Sequence, residues 1–191
     1  MPDPRKWAAD LLARTDWVVL DTESSGLSSE AQLVQIGVLA PDGSVLLDTL
    51  VRPTRPIPKD ATALHGITDA MVADAPDFES VFPKLADIVR DGLVVSYNAP
   101  FDCRMIAQSL LLDGPIDPEG WAWINAEDVR RNWRWEDAMK AWAAYVGEIH
   151  RYTGEYKWQK LPPAPGVKAH SAIGDCRSVL ALIERMANDA T

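Results

Sequence analysis

Four carboxylates and one histidine stand where acidic and basic side chains can do chemistry. Asp21 and Glu23 end the run VVLDTE, Asp102 follows SYNAPF, and His170 precedes Asp175 in HSAIGD. Each lies at the end of an apolar run or beside a helix start, where a bare carboxylate is costly unless a cation sits with it. Several carboxylates and one histidine, with no cysteine cluster, suit hard oxygen-seeking ions such as Mg2+ or Mn2+. That donor set points to metal-dependent phosphoryl chemistry.

The elements that must position these groups are legible in outline. Asp21 and Glu23 are two apart on a strand, so period-two geometry puts both on one face. Two adjacent anions repel, and one pKa rises unless a metal keeps both ionised. Asp102 sits at a helix start, a place that the helix dipole alone favours for an acid. In the preceding Asn98-Ala99-Pro100-Phe101, Asn98 can tie down the backbone after the strand and Phe101 can offer a face to a base. His170 and Asp175 would diverge on one continuous helix. With His170 in the loop and Ser171 as N-cap, both point into one site. Histidine titrates near neutrality and suits a general base there; a solvent-exposed loop histidine is the plainer alternative.

Along the chain, residues 5–14 read as a short helix. WVVLD (17–21), LVQIGVLA (33–40) and SVLLDTLV (44–51) read as three successive antiparallel strands separated by SSGLSSE and Pro41-Asp42-Gly43. The proline-rich stretch 52–66 reads as a long connection with one short helix. Residues 78–90 are helical with a start or kink at Pro83 and a stop at Gly92. LVVSY (93–97) is a fourth strand, 101–112 a helix, WAWIN (121–125) a fifth strand, 133–147 a tryptophan-rich helix and 172–187 the last helix. No repeat, low-complexity tract or linker divides residues 1–191, which are read as one domain.

The chain has 191 residues, 47% hydrophobic and 25% charged, enough for one compact domain with a real core. No stretch has the apolar length of a membrane span, and the N-terminus does not read as a signal peptide, so a cytoplasmic location is expected. Cys103 and Cys176 each follow a candidate acid and are expected to be free buried thiols. A net charge of −9 argues against coating long duplex DNA, but not against gripping a few nucleotides, because bound divalent ions would reverse the local field. Basic residues cluster at Arg130, Arg131 and Arg134, and at Lys157, Lys160 and Lys168. A solvated helix face and loop is the plain reading; a nucleic-acid track is the other.

Taken together, the segments resemble the DEDDh family of 3′-5′ exonucleases, the DnaQ-like group that includes the proofreading epsilon subunit of bacterial DNA polymerase. The match rests on Asp21-Thr22-Glu23-Ser24-Ser25-Gly26-Leu27, Gln35-Ile36-Gly37, Leu64-His65-Gly66-Ile67-Thr68, Asn98-Ala99-Pro100-Phe101-Asp102 and His170-Ser171-Ala172-Ile173-Gly174-Asp175, in that order. The resemblance implies an α/β, RNase H-like fold with a central mixed five-stranded sheet flanked by helices. It implies two Mg2+ or Mn2+ ions about 4 Å apart, with Asp21 bridging both. Glu23 and Asp175 would serve the nucleophile-side ion and Asp102 the other, and His170 would take the proton of the attacking water. It implies that Thr22, Leu27, His65, Asn98 and Phe101 line the pocket for the terminal nucleotide. The expected activity is removal of nucleoside monophosphates from 3′ ends, most readily of single-stranded DNA. Where the family often carries a histidine before the second motif, this chain has Tyr97.

The expected partner is a nucleic acid 3′ end, with a polymerase or repair protein as a further candidate and no membrane. A weakly active accessory protein on the same fold and an exonuclease of RNA or short oligonucleotides are the alternatives. Five of the eight tryptophans (Trp121, Trp123, Trp133, Trp135 and Trp142) fall between the second and third motifs, and Trp158 follows in YKWQKL. Core packing or a homodimer interface is the first reading of this aromatic content; a stacking platform for bases is the rival.

Overall fold

The computed structural model describes residues 3–90, 92–113, 121–167 and 169–189, with backbone alone at residues 113 and 121–124. Helix α1 (Pro4–Leu12) starts where Asp3 Oδ1 accepts the Arg5 N–H and Pro4 supplies a ready-made first turn. Strands β1 (Trp17–Ser24), β2 (Leu33–Leu39) and β3 (Val45–Leu50) form the antiparallel meander read from the sequence. Two short helices follow, α2 (Lys59–His65) and α3 (Asp69–Val72), where one was expected. Helix α4 (Phe78–Val89), capped by Asp77, runs through Pro83 to Arg90. Then come β4 (Leu93–Ser96), α5 (Ala99–Asp113), α6 (Trp121–Arg131), β5 (Arg134–Asp137), α7 (Ala138–Val146) and α8 (Ala172–Asn188).

The five strands make one mixed sheet in the order β3-β2-β1-β4-β5, with β4 parallel to β1 and to β5. The fifth strand is not WAWIN, which is the first turn of α6. It is Arg-Trp-Glu-Asp at 134–137, inside the stretch read as helix. A short apolar run does not tell strand from helix by its period. RWED looked unlike a strand because it lies at the sheet edge, where charged side chains discourage further pairing. Asp137 ends it and caps α7, its Oδ1 accepting the Met139 N–H at 3.0 Å.

Alternation along β1 sorts the helices into two layers. Val18 and Leu20, with Val94, pack against Phe78, Phe82 and Leu85 of α4, Met105 and Leu110 of α5 and Val129 of α6. Trp17 and Val19, with Leu93 and Val95, pack against Ala8 and Leu11 of α1, Trp142 of α7 and Val179 and Ile183 of α8. The sheet is thus covered on both faces, with α4, α5 and α6 on one side and α1, α7 and α8 on the other. A smaller cluster of Val34, Ile57, Ala61, Ile67 and Val72 seats α2 and α3 beside β2. Both cysteines are free, Cys176 buried and Cys103 half-buried. Trp133 and Trp142 are buried core residues and Trp135 is packed against the core, as the core reading of the tryptophans expects, whereas Trp158 is exposed. The side chains of Trp121 and Trp123, like Lys168, lie outside the described residues. Among the described residues no helix is long and apolar enough to cross a membrane.

Candidate active site

The two-layer arrangement decides which acids meet. Asp21 and Glu23 continue the face of Val19, toward α8, while Thr22 between them continues the face of Leu20, toward α5. On the α8 side, one carboxylate oxygen from each of Asp21, Glu23 and Asp175 comes within 4.8 Å of the other two. On the α5 side, the Thr22 hydroxyl donates to Asp102 Oδ1 at 2.7 Å. Asp102, 1% exposed, therefore reaches the cluster from the α5 side, near enough for its charge to act on Asp21.

Two strand residues make room for Asp175. Gly37 pairs with Asp21 across the β1–β2 ladder, so both face α8. A Cβ on Gly37 would lie 2.7 Å from the Ile173 nitrogen and 2.8 Å from the Ala172 carbonyl carbon. Only a residue without a side chain lets the first turn of α8 lie this close to the sheet. Gln35, opposite Glu23, accepts the Ala172 N–H on its Oε1 at 3.2 Å. Ser171 caps α8 as expected, its hydroxyl accepting the Gly174 N–H. His170, immediately before it, is exposed, with φ at 57°, and its backbone N–H is near enough to Asp175 to favour the ionised carboxylate. The left-handed turn at His170 sets that residue off the helix that begins after it, close enough for its charge to act on Asp175.

Asp102 is placed by a second such turn. Asn98 follows β4 with φ at 68°. Its N–H donates to Asp137 Oδ1 at 3.1 Å, and its carbonyl accepts the Phe101 N–H at 2.8 Å. That bend starts α5 and puts Asp102 in its first turn. Asp137 was not singled out in the sequence, because a polar edge strand gives no periodic signal there.

The electrostatics are those of acids assembled for a cation. Burial drives the Asp21 pKa well above the carboxylate range, and the charges of Asp102, Glu23 and Asp175 add to the rise. Burial, then Asp175, lifts Glu23 to about 7. Burial lifts Asp102 to about 8 against the opposing Thr22 hydrogen bond. Asp175 is raised by burial and held back by His170. Four carboxyl groups pushed the same way, in one patch, are individually unfavourable as anions; divalent cations beside them would reverse that. The residues present therefore fit the divalent ions that the donor set implies.

Next to the acids lies a cavity of about 450 Å3 lined by Thr22, Glu23, Ser24, Gly26, Leu27, Asp60, Ala61, Leu64, His65 and Phe101. Four of the five residues read as pocket residues are there; Asn98 is not, and serves the backbone turn instead. Leu27 is exposed at the mouth, and Arg104 stacks over the Phe101 ring at 5.3 Å. His65 is the last residue of α2, stopped by Gly66 in the left-handed conformation. Its Nδ1 accepts the Ile67 N–H at 3.0 Å, and its Nε2 is buried with no hydrogen bond of ordinary geometry. Burial, aided by the charge of His170 and opposed by the Ser24 backbone, lowers its pKa, and with Nδ1 accepting, the ring proton sits on Nε2. That buried donor at the pocket wall is a ready partner for a ligand oxygen. Asp60 and Ala61 were not singled out, and Leu64 was read only as part of its motif and not as a pocket residue, because the stretch was legible as a proline-rich connection with one short helix.

A model described as exonuclease matches residues 18–183, nearly the whole of the described sheet and all four acids. An uncharacterized exonuclease of Escherichia phage 186 is 39% identical over 190 residues, covering 96% of this chain and 91% of that protein. Exodeoxyribonuclease 10 of Escherichia coli K12 is 32% identical over 170 residues, 86% of this chain and 66% of that one. Among solved structures, exonuclease X in complex with 5′ overhanging duplex DNA superposes with a TM-score of 0.58 at 28% identity, covering 91% of this chain and 92% of that one. The five-stranded sheet and its helices are the RNase H-like fold.

Proposed function

The chain belongs to the DnaQ-like exonuclease family, and on that premise we propose that it is a DEDDh 3′-5′ exonuclease that releases nucleoside monophosphates from the 3′ ends of single-stranded or frayed DNA. The observation that supports this most is the meeting of Asp21, Glu23 and Asp175 within 4.8 Å beside a buried Asp102. Preference for DNA draws on the relative named an exodeoxyribonuclease and on the neighbour solved with duplex DNA.

Asp21, Glu23, Asp175 and Asp102 would hold Mg2+ or Mn2+, which would neutralise the scissile phosphate and act as Lewis acid toward it. The rest falls to the chain's own residues. The cavity beneath Leu27 and Phe101 receives the terminal nucleotide, with the Phe101 face available to its base. The His65 Nε2–H donates to an oxygen of that nucleotide, which fixes the end of the strand against the acids. His170 takes a proton from the attacking water as its oxygen adds to phosphorus. The bond from phosphorus to the bridging 3′ oxygen then breaks and that oxygen takes a proton from solvent, leaving a shortened strand with a 3′-hydroxyl and a free 5′-monophosphate. His170 stands in a loop at the rim, where an exposed imidazole can pass its proton to solvent between turnovers.

The test is hydrolysis of a 5′-labelled single-stranded DNA with Mn2+, next to a matched RNA. A ladder shortening from the 3′ end, lost in EDTA and in Asp21→Asn, is the expected result. Failure to cleave either strand would sink the proposal.

A further inference from the structure

We propose that the hairpin at residues 147–158 is a stacking platform for single-stranded nucleic acid, gripping the strand behind the terminal nucleotide. This rests on the nuclease reading for the identity of its ligand, not for its geometry. The hairpin is built rather than loose. Ile149 and Tyr156 form an antiparallel bridge. His150 N–H donates to the Glu155 carbonyl at 2.7 Å, Lys157 N–H to Glu148 at 2.8 Å and Gly154 N–H to His150 at 3.0 Å. Gly154, at φ +73°, permits the tight turn.

What this frame presents is a run of large apolar side chains facing water. Ile149 is 59% exposed, Tyr152 84%, Tyr156 48% and Trp158 79%. Every other tryptophan whose side chain is described is buried or half-buried, so this exposure is local. Contiguous exposed aromatics on a braced hairpin mark a contact surface. A cavity of about 450 Å3 opens between His150, Thr153, Glu155, Tyr156, Lys157 and Trp158.

Two observations favour single-stranded nucleic acid as the occupant. Arg151 and Lys157 interleave the aromatics and Lys160 follows them; with Glu148 and Glu155 this leaves residues 147–160 slightly basic in a chain of net charge −9, although Lys157 pairs with Glu148 at 3.5 Å. Aromatic faces alternating with cations are what a strand of bases and phosphates requires. The hairpin is also tethered to the catalytic end of the sheet. The Tyr97 hydroxyl, at the end of β4 and one residue before Asn98, donates to the Gln159 carbonyl at 2.7 Å. The backbone just after Trp158 is thereby held to the residue that links β4 to the second motif. The tyrosine that stands where the family often has histidine thus holds the platform in place.

The test uses Tyr152→Ala/Trp158→Ala and Trp158→Phe in the full chain. Binding of fluorescein-labelled dT12 and U12 is read by anisotropy in EDTA, where nothing turns over. The double variant should bind the 12-mers about tenfold more weakly or worse, since each lost stack is a large share of affinity. Trp158→Phe should retain most of it, and hydrolysis of a dinucleotide should be unchanged in kcat and KM. Equal affinity of wild type and double variant for both 12-mers would overturn the platform, as would a wild type that binds neither. A wild-type dimer in sedimentation that Trp158→Ala dissociates would overturn it too, reassigning the hairpin to self-association. A protein that binds the 12-mers through Trp158 but cleaves nothing would defeat the nuclease reading and leave the platform standing.

Discussion

Asp102 shows what a buried anion site costs before any cation arrives. Its folded pKa is about 8 because burial outweighs the Thr22 hydrogen bond, whereas in the unfolded chain it titrates near 4. Below about pH 4 both states hold the proton and the fold bears no penalty. Between pH 4 and 8 the unfolded chain has released its proton and the folded one has not, so stability falls as pH rises through that window. Asp102→Asn keeps an acceptor for Thr22 and removes the titration. In EDTA its Tm should exceed that of wild type at pH 8, by a margin of a few kcal/mol in stability, and the gap should narrow at pH 5; a gap independent of pH would refute the assignment. The same variant should have lost hydrolysis, so that stability and activity move in opposite directions. His170 makes the contrasting case, because its side chain is exposed. His170→Ala should lower kcat by about 10²–10⁴-fold and leave divalent-ion affinity, measured by calorimetry, nearly unchanged.

At the scale of elements, the register of β1 with β2 is what brings the third motif to the first. Gly37→Ala would place a methyl 2.7 Å from the backbone of Ile173, and the neighbour is main chain that cannot rotate away. The start of α8 must then lift from the sheet. A loss of about 1–3 kcal/mol in stability is expected, with a larger loss of kcat than any equally destabilising core substitution remote from the site; a fall in Tm with kcat intact would show that Asp175 keeps its place by other means. The strands that precede or carry the motifs were legible as short runs rich in β-branched residues: 17–21 and 93–97 fell where β1 and β4 are. The Ser171 cap was legible from its type and position. RWED was not, since its charges answer to an exposed sheet edge rather than to a core. Asp137 went unread with it, although its carboxylate holds Asn98 and, through the bend, Asp102. His65 could be named by resemblance, but that it is buried at the end of α2, against the left-handed Gly66, only the fold shows.

For the molecule as a whole, the acid cluster adds to an already negative chain. Divalent ions that bind only the folded state stabilise it by mass action, and they do most where the carboxyl groups would otherwise be ionised and repelling. Saturating Mn2+ should therefore raise Tm more at pH 8 than at pH 5.5, and Asp21→Asn should abolish most of the difference; an equal rise at both pH values would point to binding elsewhere. Asp175 and His170 come to this cluster from the far end of the chain, about 150 residues after Asp21. The amides of Gly174 and Asp175 are held by Ser171, through its hydroxyl and carbonyl. Local opening of that one turn would dismantle the site while the sheet stayed folded, so the deuterium exchange rates of these two amides count the molecules that are competent at any instant. Slower exchange on adding Mn2+ would mean that the ion recruits its own enzyme from a mixed population.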